Sequence, residues 1–547
     1  MNRRAPLSAL IILTFALLFL HTAWEKSPTW DEVGYIGLGA YLLKTGQWDV
    51  PAAGSHPPLA FYINSPPSFF YPLDWNFWQY PGAERNVRFL RSADTRRGNA
   101  HLLDPRYNGE HFFFYTRATS LLFACGLFWV LMRWSGQLFS FPRSLLPPFL
   151  CALSPNILAH APLINTDFAL ATTFVGAIFA VRSLLYSPSL LTLLFAGFAL
   201  GLALLSKLSA LVLLPIIALL FAWFALYANS AQRNTLRSAF TESSPGNLYI
   251  HLSTLYLMVC ALATLVLWIG YGFQITPYWQ TVQSQLWDIG TGHWAYLMGE
   301  FSTSGWWYYF PFVLLIKTPI PTLLLAALGS FTLISQRQRR LEAGFLLLPP
   351  LLLLAGFIVG NSKNIGLRYL LPIYPFLFLL TGYAVLSLRP KIRTAIVSSL
   401  CLWYAVSAVL THPHHLAYFN ESVGGSANGY RYLVDSNLDW GQDLKGLKRY
   451  MDEHGIEKIK LSYFGTVDPR LYDLNYEWLP SFMLPNLQPN TPVSLPTDGT
   501  IAISATNLVG VYMDQYGYGK DIFSWLRTRK PIAHIGHSIL IYEIDSP

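Results

Sequence analysis

About eleven stretches of this sequence are apolar for roughly the 20 residues that a helix needs to cross a bilayer, and this limits what the chain can fold into more than any other feature. They run at about 7–24, 112–132, 144–162, 167–186, 190–206, 208–227, 251–273, 306–334, 344–360, 367–388 and 392–410. In lipid every backbone N–H and C=O must find its partner inside the protein, so each stretch is expected to be a helix. Charge content agrees: Asp, Glu, Lys and Arg make up 12% of the chain, against about 25% in a soluble domain. The expected fold class is an α-helical polytopic membrane protein.

The net charge of +8 is not spread evenly. Arg3 and Arg4, Arg133 and Arg143, Arg182, Arg233 and Arg237, Arg337, Arg339 and Arg340, and Arg389, Lys391 and Arg393 fall in every second loop. Cytoplasmic loops collect Lys and Arg, so the N-terminus is expected inside and the number of spans odd. The loop at 25–111, the loop at 274–305 and the chain after 411 are then expected outside the plasma (inner) membrane. This explains the basic balance, and no nucleic-acid partner is expected. No small-x-small site precedes Trp24-Glu25-Lys26, so the first apolar run reads as an uncleaved helix. The four cysteines lie apart within apolar runs and read as small buried hydrophobes.

Two regions follow. Residues 1–410 form the membrane part, whose first outer loop, 25–111, mixes Trp75, Trp78 and Phe69-Phe70-Tyr71 with Arg85, Arg88, Arg91, Arg96 and Arg97. That mixture suits helices lying at the headgroup level. Residues 411–547 have ordinary charge density. A strand is expected near Tyr432–Val434, a helix from about Asp443 to His454, strands at Ile459–Phe464 and Thr500–Ala505, a helix near Asp521–Thr528 and closing strands in Ile532–Ile544. Together these make a small extracytoplasmic α/β domain.

The candidate chemistry collects at the outer edge. Asp31 and Glu32 follow the first span, and a carboxylate there can serve as a general base. Asp167 sits where an apolar helix begins, either as its cap or as a paired functional acid. By topology Asp31 and Asp167 share a face, and they are the ligands for a divalent cation if one is present. Arg117, Lys207, His293 and Arg368 are the candidate cations for a phosphate, with His56, Glu300 and Lys363 as further site candidates. Lys317 falls mid-span, where a lysine needs a cavity or an internal partner. Asp439 and Asp443 in the tail are read mainly as acids at a helix start.

Trp30-Asp31-Glu32, His56-Pro57-Pro58-Leu59, Thr166-Asp167, Leu205-Ser206-Lys207 and Gly305-Trp306-Trp307-Tyr308-Tyr309-Phe310-Pro311 resemble the dolichyl-phosphate-mannose protein mannosyltransferase family. Its bacterial relatives include the aminoarabinose transferase of lipid A, and all belong to the GT-C class of glycosyltransferases. Gly366-Leu367-Arg368-Tyr369-Leu370-Leu371-Pro372, Tyr418-Phe419-Asn420-Glu421 and Asp435 to Leu444 look like a prokaryotic subgroup of that family. The resemblance implies inverting transfer of a sugar from a polyprenyl-phosphate donor to a hydroxyl on a protein, lipid or glycan acceptor. It makes Asp31 the base, with Glu32 orienting it and Asp167 as the second acid. It leaves the need for a divalent metal open. The sugar-binding β-trefoil of the eukaryotic members has no counterpart here. Two other classes stay open on sequence: a transporter or flippase of lipid-linked sugars, which needs a polar path at the midplane, and a non-enzymatic envelope assembly protein.

Overall fold

A helix that is apolar all round is stable only among other helices or in lipid. The computed structural model, which describes all residues except 1–3, 49–50, 72–92, 239–246, 291, 361–362, 482–494 and 545–547, resolves the apolar runs accordingly. Among the described residues eight helices are long and apolar enough to cross a membrane, or nine if one bent pair counts as a span. Thr166–Tyr186 and Leu367–Ser387 are mostly buried at the centre, whereas Ala5–Glu25, Leu248–Gly270 and Pro390–Thr411 keep most of their apolar surface outward. This is a multi-pass membrane protein.

Two of the eleven expected spans differ, and a third, as expected from its run, is a shorter helix than the rest. The run 144–162 is no single helix: it breaks into Leu146–Ala152 and Pro155–His160. Pro155 has no N–H to continue the first helix, and Ser154 caps the second. The run 306–334 becomes Tyr309–Lys317 and Ile320–Ser335, bent by 114° where Pro319 intervenes. Leu190–Ser206 is a continuous helix of 17 residues. Close approaches hold the bundle together. A Cβ on Gly329 would lie 1.9 Å from the carbonyl oxygen of Leu380, so helix Ile320–Ser335 meets helix Tyr374–Ser387 backbone to backbone.

The bend also moves Lys317, which is not mid-span but at a helix end. Its ammonium donates to the carbonyls of Leu416 (2.8 Å) and Asn437 (2.5 Å) and lies over the Phe419 ring. At the far end of helix Thr166–Tyr186, Arg182 is not a loop cation but is buried against Glu342. It makes 2.8 Å and 2.9 Å bonds to the two carboxylate oxygens, which Tyr186 and Trp134 also reach. At 1.5 Å per residue, Asp167 and Arg182 lie about 22 Å apart along one helix.

The tail carries a five-stranded sheet in the order β4-β3-β5-β7-β6. The strands are β3 Ile459–Ser462, β4 Tyr476–Trp478, β5 Gly499–Ser504, β6 Ala533–Ile535 and β7 Ile539–Ile544; β1 Ala295–Leu297 and β2 Glu300–Ser302 form a separate hairpin. β3 runs parallel to β4 and β5, while β5–β7 and β6–β7 are antiparallel. The strand expected at Tyr432–Val434 is absent. Tyr432 and Leu433 instead close a turn onto the Gly429 carbonyl at 2.9 Å and 3.0 Å. β4 was not foreseen. Side chains alternate between the sheet's faces. Ile501, Ile503, Leu540 and Tyr542 join the apolar cluster that runs through the membrane helices. On the other face Ala502 and Ile541 meet Leu444, Leu447 and Met451, one stripe of helix Leu444–Glu453, together with Val33, Phe112 and Phe113 of the first outer segment and its following helix.

In the loop 25–111, Trp75, Trp78, Arg85, Arg88 and Arg91 lie outside the described residues. The described parts are short helices, and Leu38, Tyr41, Leu42 and Phe61 pack into a core of their own. These short helices therefore fold around a small apolar core of their own.

Candidate active site

Thr29 starts the short helix Trp30–Tyr35. Its backbone N–H and its hydroxyl both donate to Glu32 Oε2, at 2.8 Å and 2.9 Å. Neighbouring residues on a helix point in different directions, so Glu32 turns into the protein while Asp31 turns out. Glu32 and Arg117 are both fully buried and form a two-pronged ion pair, with Nε–Oε1 at 2.9 Å and Nη2–Oε2 at 2.5 Å. The Ile164 N–H adds a bond to Oε1 at 2.9 Å, and Arg117 also donates to the carbonyls of Ala23, Lys26 and Ser27. Both carboxylate oxygens and both terminal guanidinium nitrogens also bond backbone, so the pair holds several segments together.

Asp31 instead lines a cavity of about 840 Å³. Its Oδ2 accepts from Arg368 Nη1 at 2.6 Å. The same guanidinium nitrogen lies 3.5 Å from Asp167 Oδ2, and Asp167 Oδ1 accepts from Lys207. The result is a row of alternating charge, Asp31–Arg368–Asp167–Lys207. Arg368 is held over the face of Trp440, 4.5 Å from the ring centroid, and Lys207 over Tyr369 at 4.7 Å. Asp167 is not the helix cap; Asn165 takes that part, accepting from the Asp167 N–H at 3.1 Å.

The tail sets this geometry. Trp30 N–H donates to the Trp440 carbonyl (2.8 Å) and Ser27 N–H to that of Gln442 (3.0 Å). Thr466 Oγ1 donates to the Trp30 carbonyl at 2.6 Å. Gly441 has φ +89°, and a Cβ there would lie 2.7 Å from the Tyr463 hydroxyl, so only glycine suits this turn. Asn437 Oδ1 accepts from Leu367 N–H (2.9 Å) and Ser436 Oγ donates to the Ile365 carbonyl (2.8 Å), which fixes the backbone that carries Arg368. Asp443 does not cap its helix by its side chain. It bonds Lys26 Nζ and Ser538 Oγ, both at 2.6 Å. Burial works to raise its pKa, but the Lys26 ammonium and His414 hold it below the usual carboxylate range. Asp439 accepts from Thr506 N–H at 2.9 Å, and burial pushes it up to about 8.

Of the expected site residues, Asp31, His56, Lys207, His293, Lys363 and Arg368 line the cavity, and Asp167 stands directly behind Lys207 and Arg368. Glu32 and Arg117 do not line it, and neither reaches a ligand there. Glu300 is not at this cavity either; it belongs to the β1–β2 hairpin beside a second one. Burial, with Lys207 nearby, lowers His56 to about 3, so His56 is a neutral hydrogen-bonding group and not a cation. The proposed metal pair does not fit: Arg368 already lies between Asp31 and Asp167, and two cations balance the two acids. Among the described residues no group of three or more His, Cys, Asp or Glu is placed to hold a metal ion.

Sequence reading missed Asp94 and Thr466, which also line the cavity. Asp94 pairs with the buried Arg97 at 3.1 Å, a helical i, i+3 spacing that was available as a signal. Thr466 gave none. The cavity is also lined by the apolar residues Leu208, Leu211, Val212, Leu353 and Phe357 from two membrane helices.

No family model matches this chain, and no curated protein matches it. Among solved structures it is similar to ArnT from Cupriavidus metallidurans in the apo state, with 13% identity, 98% of each chain covered and a TM-score of 0.48. It is also similar to the archaeal oligosaccharyltransferase AglB from Archaeoglobus fulgidus in complex with an inhibitory peptide and a dolichol-phosphate. There the identity is 13%, the cover 86% of this chain and 65% of that one, and the TM-score 0.44. The S. cerevisiae protein O-mannosyltransferase Pmt1-Pmt2 complex bound to the sugar donor aligns over 52% of this chain and 34% of that one, at 20% identity and a TM-score of 0.32. With TM-scores below 0.5 these are coarse likenesses.

Proposed function

We propose that this protein is a membrane glycosyltransferase that moves a sugar from a polyprenyl-phosphate donor to an acceptor hydroxyl, with inversion, at the cavity beside Asp31. The observation that carries this reading is the charge row Asp31–Arg368–Asp167–Lys207 at a cavity that apolar residues of two membrane helices also line. A donor of this kind needs both surfaces at once. Its prenyl chain stays with Leu208, Leu211, Val212, Leu353 and Phe357, and its phosphate meets Arg368, Lys207 and Lys363.

In the proposed step the acceptor oxygen attacks the anomeric carbon as the carbon–phosphate oxygen bond breaks. Asp31 takes the hydroxyl proton, and the polyprenyl phosphate leaves with the electron pair. Negative charge grows on the leaving phosphate, where the preset cations do most of the catalytic work. Asp167 is a positioning residue: it bonds Lys207 and lies 3.5 Å from the guanidinium of Arg368, which itself donates to Asp31. Holding both reactants here turns the encounter into an intramolecular reaction.

The transferred group is a hexose, a pentose or an amino sugar, and the site is expected on the extracytoplasmic face of the inner membrane. The membrane part, 1–410, and the tail, 411–547, act as one catalytic body in this reading, because Trp440 and Thr466 help build the cavity. The test is transfer from a labelled polyprenyl-phosphate sugar by purified protein. Asp31→Asn is expected to end transfer while the protein stays folded. Full activity in that variant would sink the assignment of the base. Loss of one envelope glycoconjugate in cells lacking the protein would name sugar and acceptor together.

A further inference from the structure

A second cavity, of about 420 Å³, lies beyond the first and is lined by Trp294, Glu300, Phe301, Gly510, Val511, Asp514 and Lys520. This is within the range of small-ligand sites, roughly 300–1,000 Å³. Its walls come from two elements. The β1–β2 hairpin supplies Trp294, Glu300 and Phe301, and the loop 510–520 supplies the rest. Both are pinned. Met298 N–H donates to the Tyr432 carbonyl at 3.0 Å, Tyr296 OH to that of Arg431 at 3.1 Å, and Lys520 N–H to Asp514 Oδ1 at 2.7 Å.

The two cavities are linked along the chain. His293 lines the first and Trp294, the next residue, lines the second. A ladder of rings fixes their spacing. Trp30 beside Asp31 packs on Phe464 (4.6 Å between centroids), and Phe464 stacks on Tyr512 (5.4 Å, 7° between planes). Tyr512 is next in sequence to Val511 of the second cavity, and His293 meets its ring edge-on at 5.8 Å. Nothing in the proposed donor chemistry uses this second space.

We infer that the second cavity is an acceptor subsite for a saccharide, holding sugar units of a glycan acceptor while its reacting hydroxyl lies at Asp31. The inference rests on the transferase reading and adds the acceptor's chemical class to it. A sugar ring has a C–H face that packs on aromatic rings, and hydroxyls round its rim that donate to carboxylates. Trp294 and Phe301 are half-buried rings, and Glu300 and Asp514 are exposed carboxylates beside them. Neither carboxylate has an ion-pair partner among the described residues. Lys520 adds one cationic donor for ring or hydroxyl oxygens. A peptide would need backbone donors and acceptors lined up along its length, whereas this lining offers ring faces and side-chain acceptors at one spot.

The test uses the full-length protein in detergent and short labelled oligosaccharides of the gluco, manno, galacto and N-acetylhexosamine series, without donor. At least one series is expected to bind and to quench tryptophan fluorescence. Trp294→Ala and Phe301→Ala are each expected to weaken that binding by about tenfold, the size of one lost aromatic contact. Should the Trp294 variant fold poorly, Asp514→Asn and Glu300→Gln, on exposed positions, carry the same test with smaller losses. If no series binds, if the ring variants bind as tightly as the unaltered protein, or if short peptides and not sugars compete at Trp294, the inference is wrong. Transfer assayed on Asp31→Asn is read separately. Asp31-dependent transfer with no saccharide binding removes this subsite alone. Saccharide binding with Asp31-independent transfer removes only the assigned base.

Discussion

Asp31 and Glu32 are neighbours, each is bonded to one arginine, and their surroundings are opposite. The Glu32–Arg117 pair has no solvent exposure on either side chain and spends its hydrogen bonds on backbone, on the Thr29 hydroxyl and on itself. Asp31 is 22% exposed and Arg368 12%, and both line the cavity. The same two chemical groups are a rivet in one place and a reactive edge in the other. What separates them is the direction in which two consecutive helical residues point, together with the Thr29 cap that draws Glu32 inward.

Breaking each pair should therefore have different consequences. The largest effect is expected from Glu32→Ala or Arg117→Ala. Each leaves an uncompensated buried charge, at a cost of about 3–5 kcal/mol, and should appear as loss of monodisperse protein on size exclusion. Glu32→Leu combined with Arg117→Met should be milder than either single change, since no lone charge remains. Second is Asp31→Asn, expected to lower the turnover number by about 10²–10⁴ with little shift in melting temperature. A variant that melts like the Glu32 change would erase the contrast.

Third, Lys207→Ala is expected to raise the donor KM about tenfold, the scale of one charge-assisted contact, with partial recovery in Lys207→Arg. Donor titration checks this, and an unchanged KM would remove Lys207 from the phosphate site. The last prediction concerns pH. Burial pushes Asp439 up to about 8, above its unfolded value near 3.9. Between those values the folded protein holds a proton that the unfolded chain has released, so this group makes stability fall as pH rises from about 4 to about 8. Asp439→Asn, which can still accept from Thr506 N–H, should flatten that slope in melts taken across the range.

Much of this was legible in the chain. Eight of the eleven apolar runs became single long helices because length and composition alone decide that in lipid. The breaks were harder to foresee because proline is ambiguous. Pro349 and Pro350 sit inside the unbroken helix Arg340–Gly360, whereas Pro155 and Pro319 coincide with breaks. Neighbouring helices that satisfy the freed carbonyls decide between these outcomes, and no window of sequence contains them. The site divides in the same way. Asp31, Asp167, Lys207 and Arg368 stood out as charges at the rims of apolar runs. That Arg368 bonds Asp31 across 337 positions, or that Glu32 is sealed by Arg117, is a matter of tertiary placement alone.

Lys317 carries one further consequence, for the order in which the molecule is made. Its ammonium rests on the carbonyls of Leu416 and Asn437, residues 99 and 120 positions later. When helix Tyr309–Lys317 first enters the bilayer, neither partner has been synthesised. Lys317 can meet these carbonyls only after the last span, Pro390–Thr411, and the segment that follows it have been made. The lysine thus ties completion of the membrane part to delivery of the tail, and a chain cut short before residue 416 leaves that charge without either carbonyl that holds it.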